Sequence, residues 1–201
     1  TPFVSSIPYC LTFGVLFKTV VDSVTFAIPK GKVLSLIGPN GAGKSTVMGI
    51  ISRLIARDAG EDQRIIDQAI AYMELEEFQD RFIDELSGGQ RQRALIAMVI
   101  AQDTEYVLLD EPTNNLDIYH ATNMMRTVRK LCDELGKTVI LVLHEINYAA
   151  FYSDYICAFV DGKVAKFGTV EEVMTKENLS AIYQVDFEIL EIEGKPLSIY
   201  Y

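Results

Sequence analysis

Three short runs of this chain hold residue types that bind phosphate or move a proton. Gly38-Pro39-Asn40-Gly41-Ala42-Gly43-Lys44-Ser45-Thr46 follows the pattern G-x-x-x-x-G-K-[ST]. Glycines at those positions let successive backbone N–H groups point into one concavity. Lys44 has the reach for β- and γ-phosphate oxygens, and the Ser45 hydroxyl can ligate Mg²⁺. Asp110-Glu111 closes the apolar run Tyr106-Val107-Leu108-Leu109. A carboxylate at 110 can hold Mg²⁺ through a water, and one at 111 can orient and polarise an attacking water. Leu86-Ser87-Gly88-Gly89-Gln90 stands at the start of a helical run, where a hydroxyl and glycine N–H groups make a second anion site. Taken singly, the acidic pair also reads as a solvated strand end, and the serine-glycine turn as a capped loop. Their order in one chain behind a glycine loop points to nucleotide chemistry.

Each run needs an element to aim it, and the sequence supplies one. Val33–Ile37 is a short apolar run before the glycine loop, and Ser45–Leu54 repeats apolar residues at helical spacing, giving strand, loop, helix. Val24–Ile28 reads as a strand before a turn at Pro29–Lys32. Arg64–Leu75 and Arg91–Ala101 read as helices, and Tyr106–Leu109 as a buried strand. Ala121–Leu135 reads as an amphipathic helix with Met124, Met125, Val128, Leu131 and Leu135 inward, ended by Gly136. Thr138–Leu143 is apolar and β-branched, as a central parallel strand requires. Tyr155–Val160 and Val164–Phe167 flank an Asp161-Gly162 turn as a hairpin, and Thr169-Val170-Glu171-Glu172 is a capping box opening a helix. Val185–Ile192 and Leu197–Tyr201 suggest a second hairpin around Glu193-Gly194-Lys195.

Composition narrows the function classes. The 201 residues are 49% hydrophobic and 23% charged, which suits a folded domain with a real core. A net charge of −10 repels phosphate backbones, so nucleic acid is not expected as a partner. Cys10, Cys132 and Cys157 match neither a disulfide framework nor a zinc pattern and read as buried thiols. The stretch from Phe3 to Val21 is broken by Ser5, Ser6, Pro8, Thr12 and Lys18, so neither a span nor a signal peptide is expected there.

With these motifs in hand, the chain resembles the ABC ATPase family. Gly38 to Thr46 is similar to its Walker A loop, Leu86 to Gln90 to its signature motif, Leu108 to Glu111 to its Walker B strand, and Asn115-Leu116-Asp117 to its D-loop. His144, at the end of the Thr138–Leu143 run, resembles the switch histidine, and His120 is read as a surface residue. The resemblance implies an α/β fold: a P-loop NTPase, RecA-like core with a mixed β-sheet, an antiparallel β part and a small α-helical subdomain. Residues 1–60 and 103–201 would form the nucleotide-binding core, and 61–102 the helical subdomain with the signature motif. It implies ATP and Mg²⁺ as ligands, with Ser45 and Asp110 at the metal, Glu111 as general base and His144 on the γ-phosphate. It also implies a head-to-tail dimer with a second copy, each ATP lying between Gly38–Thr46 of one subunit and Ser87, Gly88, Gly89 and Gln90 of the other. Asp117 would sit at the same interface.

Segments such as Ser52-Arg53-Leu54-Ile55, Ala97–Gln102 and Leu143–Asn147 are similar to the ATPases of iron(III)-siderophore importers. That implies a polytopic membrane permease as partner, indirectly a substrate-binding protein, and a place on the cytoplasmic face of the bacterial inner membrane. The alternatives are a motor for haem, cobalamin or metal, a soluble ABC ATPase acting on nucleic acid or the ribosome, and a non-enzymatic nucleotide sensor. Two departures from the family pattern stand out. The interval from Thr46 to Ser87 has about half the family's residues and lacks its Q-loop glutamine, which makes Gly60–Glu61 read as a join across a missing stretch. The adenine-stacking aromatic has no clear match, with Phe13 and Phe17 as the candidates.

Overall fold

The computed structural model describes residues 24, 26, 28–55, 63–101 and 104–200. The expected join at Gly60–Glu61, the candidates Phe13 and Phe17, Cys10 and the stretch Phe3–Val21 lie outside them. Of the expected strand over 24–28, Val24 forms a single bridge, and Phe26 and Ile28 pack on the core.

A five-stranded sheet carries the molecule, in the order β2-β3-β1-β4-β5. β1 (Val33–Ile37) lies parallel to both β3 (Thr138–Val142) and β4 (Tyr155–Val160), and β2 (Tyr106–Asp110) pairs parallel with β3. β5 (Lys163–Thr169) returns antiparallel along β4 through the Asp161-Gly162 turn. The sheet is therefore mixed, as the resemblance implies. Every residue of β1 and of β3 is buried. Strands covered on both faces read as continuous apolar runs rather than alternating ones, and that is how Val33–Ile37 and Thr138–Val142 appear in the sequence.

Helices cover both faces. On one side α1 (Lys44–Ile55) packs Val47, Met48 and Ile51 against Leu34, Leu36, Ile140, Val142, Cys157 and Phe159. The other side takes α2 (Gln63–Tyr72), α3 (Gly88–Ala101), α4 (Ile118–Asp133), α5 (Ile146–Tyr152), α6 (Val170–Val173) and α7 (Lys176–Tyr183) in one contiguous core with Val33, Ile37, Leu141 and Ile156. β6 (Phe187–Ile192) and β7 (Lys195–Tyr200) form a separate hairpin fixed to α5, where Asn147 accepts from the Ser198 N–H at 2.8 Å and donates to its carbonyl at 3.1 Å.

Several boundaries differ from the sequence reading, each for a local reason. α4 begins at Ile118 because Asp117 caps it, accepting from the His120 N–H at 2.8 Å. It ends at Asp133, and Gly136, at φ 62°, lets its own N–H and that of Lys137 reach back to the Cys132 and Leu131 carbonyls. Leu135 thus falls in the turn and is exposed, not inward as its spacing suggested. α3 starts at Gly88 rather than Arg91, and α2 stops at Tyr72, short of Leu75. α5 and α7 have no clear periodic signal, being only 7 and 8 residues long.

Polar groups inside this core are matched with one exception among the described residues. Asp154 accepts from the Val33 N–H at 2.8 Å, from Arg129 at 2.8 Å and from Lys32 at 3.2 Å, joining β1, α4 and the start of β4. Burial raises its pKa, but these donors outweigh burial and hold the carboxyl below its ordinary value. The Tyr183 hydroxyl is buried without a hydrogen bond of normal geometry, although the Gly38 backbone lies close to it, and burial pushes its pKa up to about 12. Cys132 and Cys157 are buried free thiols, and burial raises Cys157 to about 12.

Candidate nucleotide-binding site

Parallel strands present a crevice at their carboxyl ends, and ligands of open α/β sheets bind there. Three strands of this sheet end at candidate chemistry. β1 runs into Gly38, β2 ends on Asp110 with Glu111 next, and β3 ends two residues before His144.

Gly38 turns the chain out of β1 at φ 140°, and a Cβ built on it would lie 2.2 Å from the Phe159 carbonyl oxygen of β4. Only glycine fits there. Lys44, on the first turn of α1, is 5% exposed, and its Nζ donates to the Gly38 carbonyl at 2.9 Å and the Pro39 carbonyl at 3.1 Å. The ammonium thus arches across the loop interior. Desolvation lowers its pKa, countered by the carboxylates of Glu111 and Asp110. Ala42 and Gly43 are buried, whereas Asn40, Gly41, Ser45 and Thr46 are exposed on the outer side.

The acidic pair meets this loop. Ser45 Oγ lies 3.5 Å from Asp110 Oδ1, so the two oxygens proposed for a metal stand together. Two protein oxygens with open positions suit Mg²⁺, which keeps several waters and takes phosphate oxygens as further ligands. Glu111 has φ 50°, a left-handed conformation costly for a residue with a side chain, on the order of 1–3 kcal/mol. Its N–H donates to the Val142 carbonyl at 3.1 Å, and its Oε1 lies 2.5 Å from His144 Nε2. Asn114 donates to Oε2 at 3.2 Å. The fixed, strained backbone and two side-chain contacts aim the Glu111 carboxylate at one place beside the phosphate loop.

The remaining residues form a second group. The Ser87 N–H donates to Gln90 Oε1 at 2.9 Å and the Gln90 N–H to Ser87 Oγ at 3.4 Å, a reciprocal capping box at the head of α3. Helix geometry leaves the N–H groups of Gly88 and Gly89 without intrahelical acceptors. Asp117 belongs here too, because the Cδ2–Nε2 edge of His120 lies against Gly89 and Nδ1 of the same ring is 2.8 and 2.9 Å from the Asp117 carboxylate oxygens. Hydrogen bonds from the His120 N–H and ring hold the Asp117 carboxyl below its usual value. Among the described residues, no hydrogen bond or ion pair joins this group to the phosphate loop or to Glu111.

The nine-residue loop and the acidic strand end are thus brought together, and the serine-glycine turn stands apart with Asp117. A family described as ABC transporter matches the chain in two stretches, residues 21–64 and 61–114. The petrobactin import ATP-binding protein YclP of Bacillus subtilis (strain 168) is 39% identical over 238 positions, covering 92% of this chain and 94% of that protein. The chain belongs to the ABC transporter ATP-binding proteins. The ferric enterobactin transport ATP-binding protein FepC of Escherichia coli (strain K12) is 32% identical over 247 positions, 94% of this ABC chain and 91% of that one. Both alignments are longer than the chain's 201 residues, so stretches of these relatives have no counterpart here. Among solved structures, an inward-facing ABC transporter of metal-chelate type superimposes with a TM-score of 0.77 at 23% identity over 90% of each chain. A dimeric bacterial ABC transporter cassette gives 0.63 at 25% identity over 75% of this chain and 90% of that one.

Two residues of this ABC chain were not read as functional in the sequence. Asn114 holds the Glu111 carboxylate, and its only signal is its place three residues on, at the spacing of a tight turn. His120, read as surface, is half-buried against Gly89. Its signal was the spacing Asp117-x-x-His120, which puts the ring over its own helix cap.

Proposed function

We propose that this chain binds and hydrolyses ATP with Mg²⁺ as the motor subunit of an importer that takes up an iron–siderophore complex. The observation that carries the reading is the convergence of Lys44, Ser45, Asp110, Glu111 and His144 at the carboxyl ends of β1, β2 and β3. Lys44 and the loop amides hold the triphosphate. Ser45 and Asp110 hold Mg²⁺, which supplies charge to the phosphate oxygens when bound. Glu111 takes the proton of the attacking water, and His144 steadies that carboxylate and the γ-phosphate side of the site.

The second group completes the site from outside the chain. Gly88 has an ordinary backbone conformation, and among the described residues nothing lies within 4 Å of the Cβ it lacks. A glycine with no need for itself inside its own chain suits the close approach of something else. In a head-to-tail dimer that is the triphosphate held by the partner copy, with Asp117 at the same seam. The cargo class follows the import proteins named above, and the permease is the membrane partner. Among the described residues no helix is long and apolar enough to cross a bilayer. The reading puts the subunit at the cytoplasmic face, docked on the permease.

The core comprises 1–60 and 103–201, and 61–102 is the helical part with the signature turn. The family match breaks where the sequence suggests a join, with its two stretches meeting at residues 61–64. An apolar cavity of about 570 Å³ lined by Ile66, Ile70, Leu75, Phe78 and Met98 opens in this part.

The test uses Glu111→Gln. With ATP and Mg²⁺ the variant should run as a dimer in sizing chromatography and release phosphate at least about 100-fold more slowly than the native chain. A monomer with ATP bound, or native turnover, rejects the reading. Cells carrying Lys44→Ala should fail to accumulate iron from the siderophore their permease accepts.

A further inference from the structure

The two glycines of the signature turn differ in what surrounds them, and the difference assigns a role to a residue outside the catalytic group. Gly88 meets open space, whereas a Cβ on Gly89 would lie 2.5 Å from Cδ2 and 2.9 Å from Nε2 of His120. Neither glycine has a positive φ, so backbone conformation does not demand glycine at 89. The imidazole does. That ring cannot swing away freely, because Nδ1 is bound between both Asp117 oxygens, Asp117 in turn caps α4 through the His120 N–H, and the Tyr119 ring meets it edge-on at 5.3 Å.

We infer that His120 is a positioning residue for the signature turn: anchored by Asp117, its Cδ2–Nε2 edge stands in for the side chain Gly89 lacks and fixes the direction of the Gly88 and Gly89 N–H groups. Those N–H groups have no intrahelical acceptor and lie at an exposed helix end where little else holds them. A rigid ring packed on the Cα of the second glycine restrains the turn without occupying the side from which a phosphate must come. Because the ring hangs on Asp117, the position of the segment after Glu111 sets where the ring edge stands against the turn.

The role in turnover rests on the dimer reading above, but the contact itself does not, and a mutational cycle separates them. In thermal unfolding without nucleotide, Gly89→Ala should lower the midpoint by several degrees in the native background. In a His120→Ala background it should leave the midpoint unchanged or raise it, since alanine is the better helix former once the ring is gone. Equal shifts in the two backgrounds overturn the contact, whatever the enzyme does. In steady-state hydrolysis, His120→Ala should lower kcat about tenfold with KM for ATP within about twofold, because the phosphate loop is untouched. His120→Asn keeps an N–H for Asp117 but not the ring edge, so it should stay as slow as alanine. Native kcat in His120→Ala, or full rescue by asparagine, overturns the positioning role. If Ser87→Ala also turns over normally, the dimer reading fails with it. If Ser87→Ala is slow and His120→Ala is not, the role of His120 alone is lost.

Discussion

The phosphate loop and the signature turn are both glycine-bearing entries to a helix, yet they are built in opposite ways. The loop is sunk at the centre of the sheet. Its first glycine is forced by a carbonyl 2.2 Å from where a Cβ would stand, and its lysine is 5% exposed and bonded to two loop carbonyls. The turn lies at the surface, satisfies two of its amides through its own capping box, and keeps one glycine clear of every described neighbour. A single folded chain finishes the first. On the proposed reading the second is finished only by what docks on it. Binding and turnover should therefore be separable by mutation.

The largest expected effect tests the self-sufficiency of the loop. Gly38→Ala forces a Cβ against β4 at φ 140° and should cost about 4 kcal/mol or more, read as unfolding at a much lower denaturant concentration. A well-folded variant would mean that the loop can yield, and the contrast with the turn would weaken. Ser87→Ala should do the reverse. It removes the Oγ acceptor of the capping box at about 1 kcal/mol of stability, keeps the affinity for ATP, and lowers kcat at least about tenfold. Equilibrium nucleotide binding beside steady-state hydrolysis checks both halves.

A third expectation concerns the frame under the loop. The folded Asp154 carboxyl lies below its ordinary 3.8, so its contribution is present above about pH 4 and is lost as pH falls through the lowered folded value. Asp154→Asn should cost about 1.5–3 kcal/mol at neutral pH and flatten the acid limb of stability, seen by denaturation at pH 7 and pH 3. The smallest effect belongs to α7, whose Tyr183 hydroxyl lies near the Gly38 backbone. Tyr183→Phe removes a buried hydroxyl that makes no hydrogen bond of normal geometry, and should leave stability unchanged or raise it by up to about 1 kcal/mol.

The phosphate loop was legible because its pattern, the preceding apolar run and the following helix agree at every level from Val33 to Leu54. Asp110 and Glu111 were legible for the same reason, standing at the end of a buried strand. His144 needed the family resemblance, since a histidine after a strand carries no periodicity of its own. Asn114 stayed hidden because its contact is made by the tight turn after Glu111, and the His120 contact because it depends on the cap that starts α4 at Ile118. Leu135 was misplaced for the mirror reason: helical spacing continued past the point where Gly136 had already turned the chain. α5 and α7 are too short to show a face, and tertiary contact with the β6–β7 hairpin, through Asn147 and Tyr183, holds them in place.

The strand order also sets a scale. β3 lies between β1 and β2, so the backbones that carry Lys44 and Glu111 leave the sheet two strand spacings apart, about 10 Å. The buried strands hold that interval as a caliper holds its jaws, and the loop with the first turn of α1 crosses it to set Ser45 beside Asp110. Shortening Glu111 to aspartate would open a gap that no neighbour on so stiff a mount can follow, so the gauge of the sheet itself decides which carboxylate length can work.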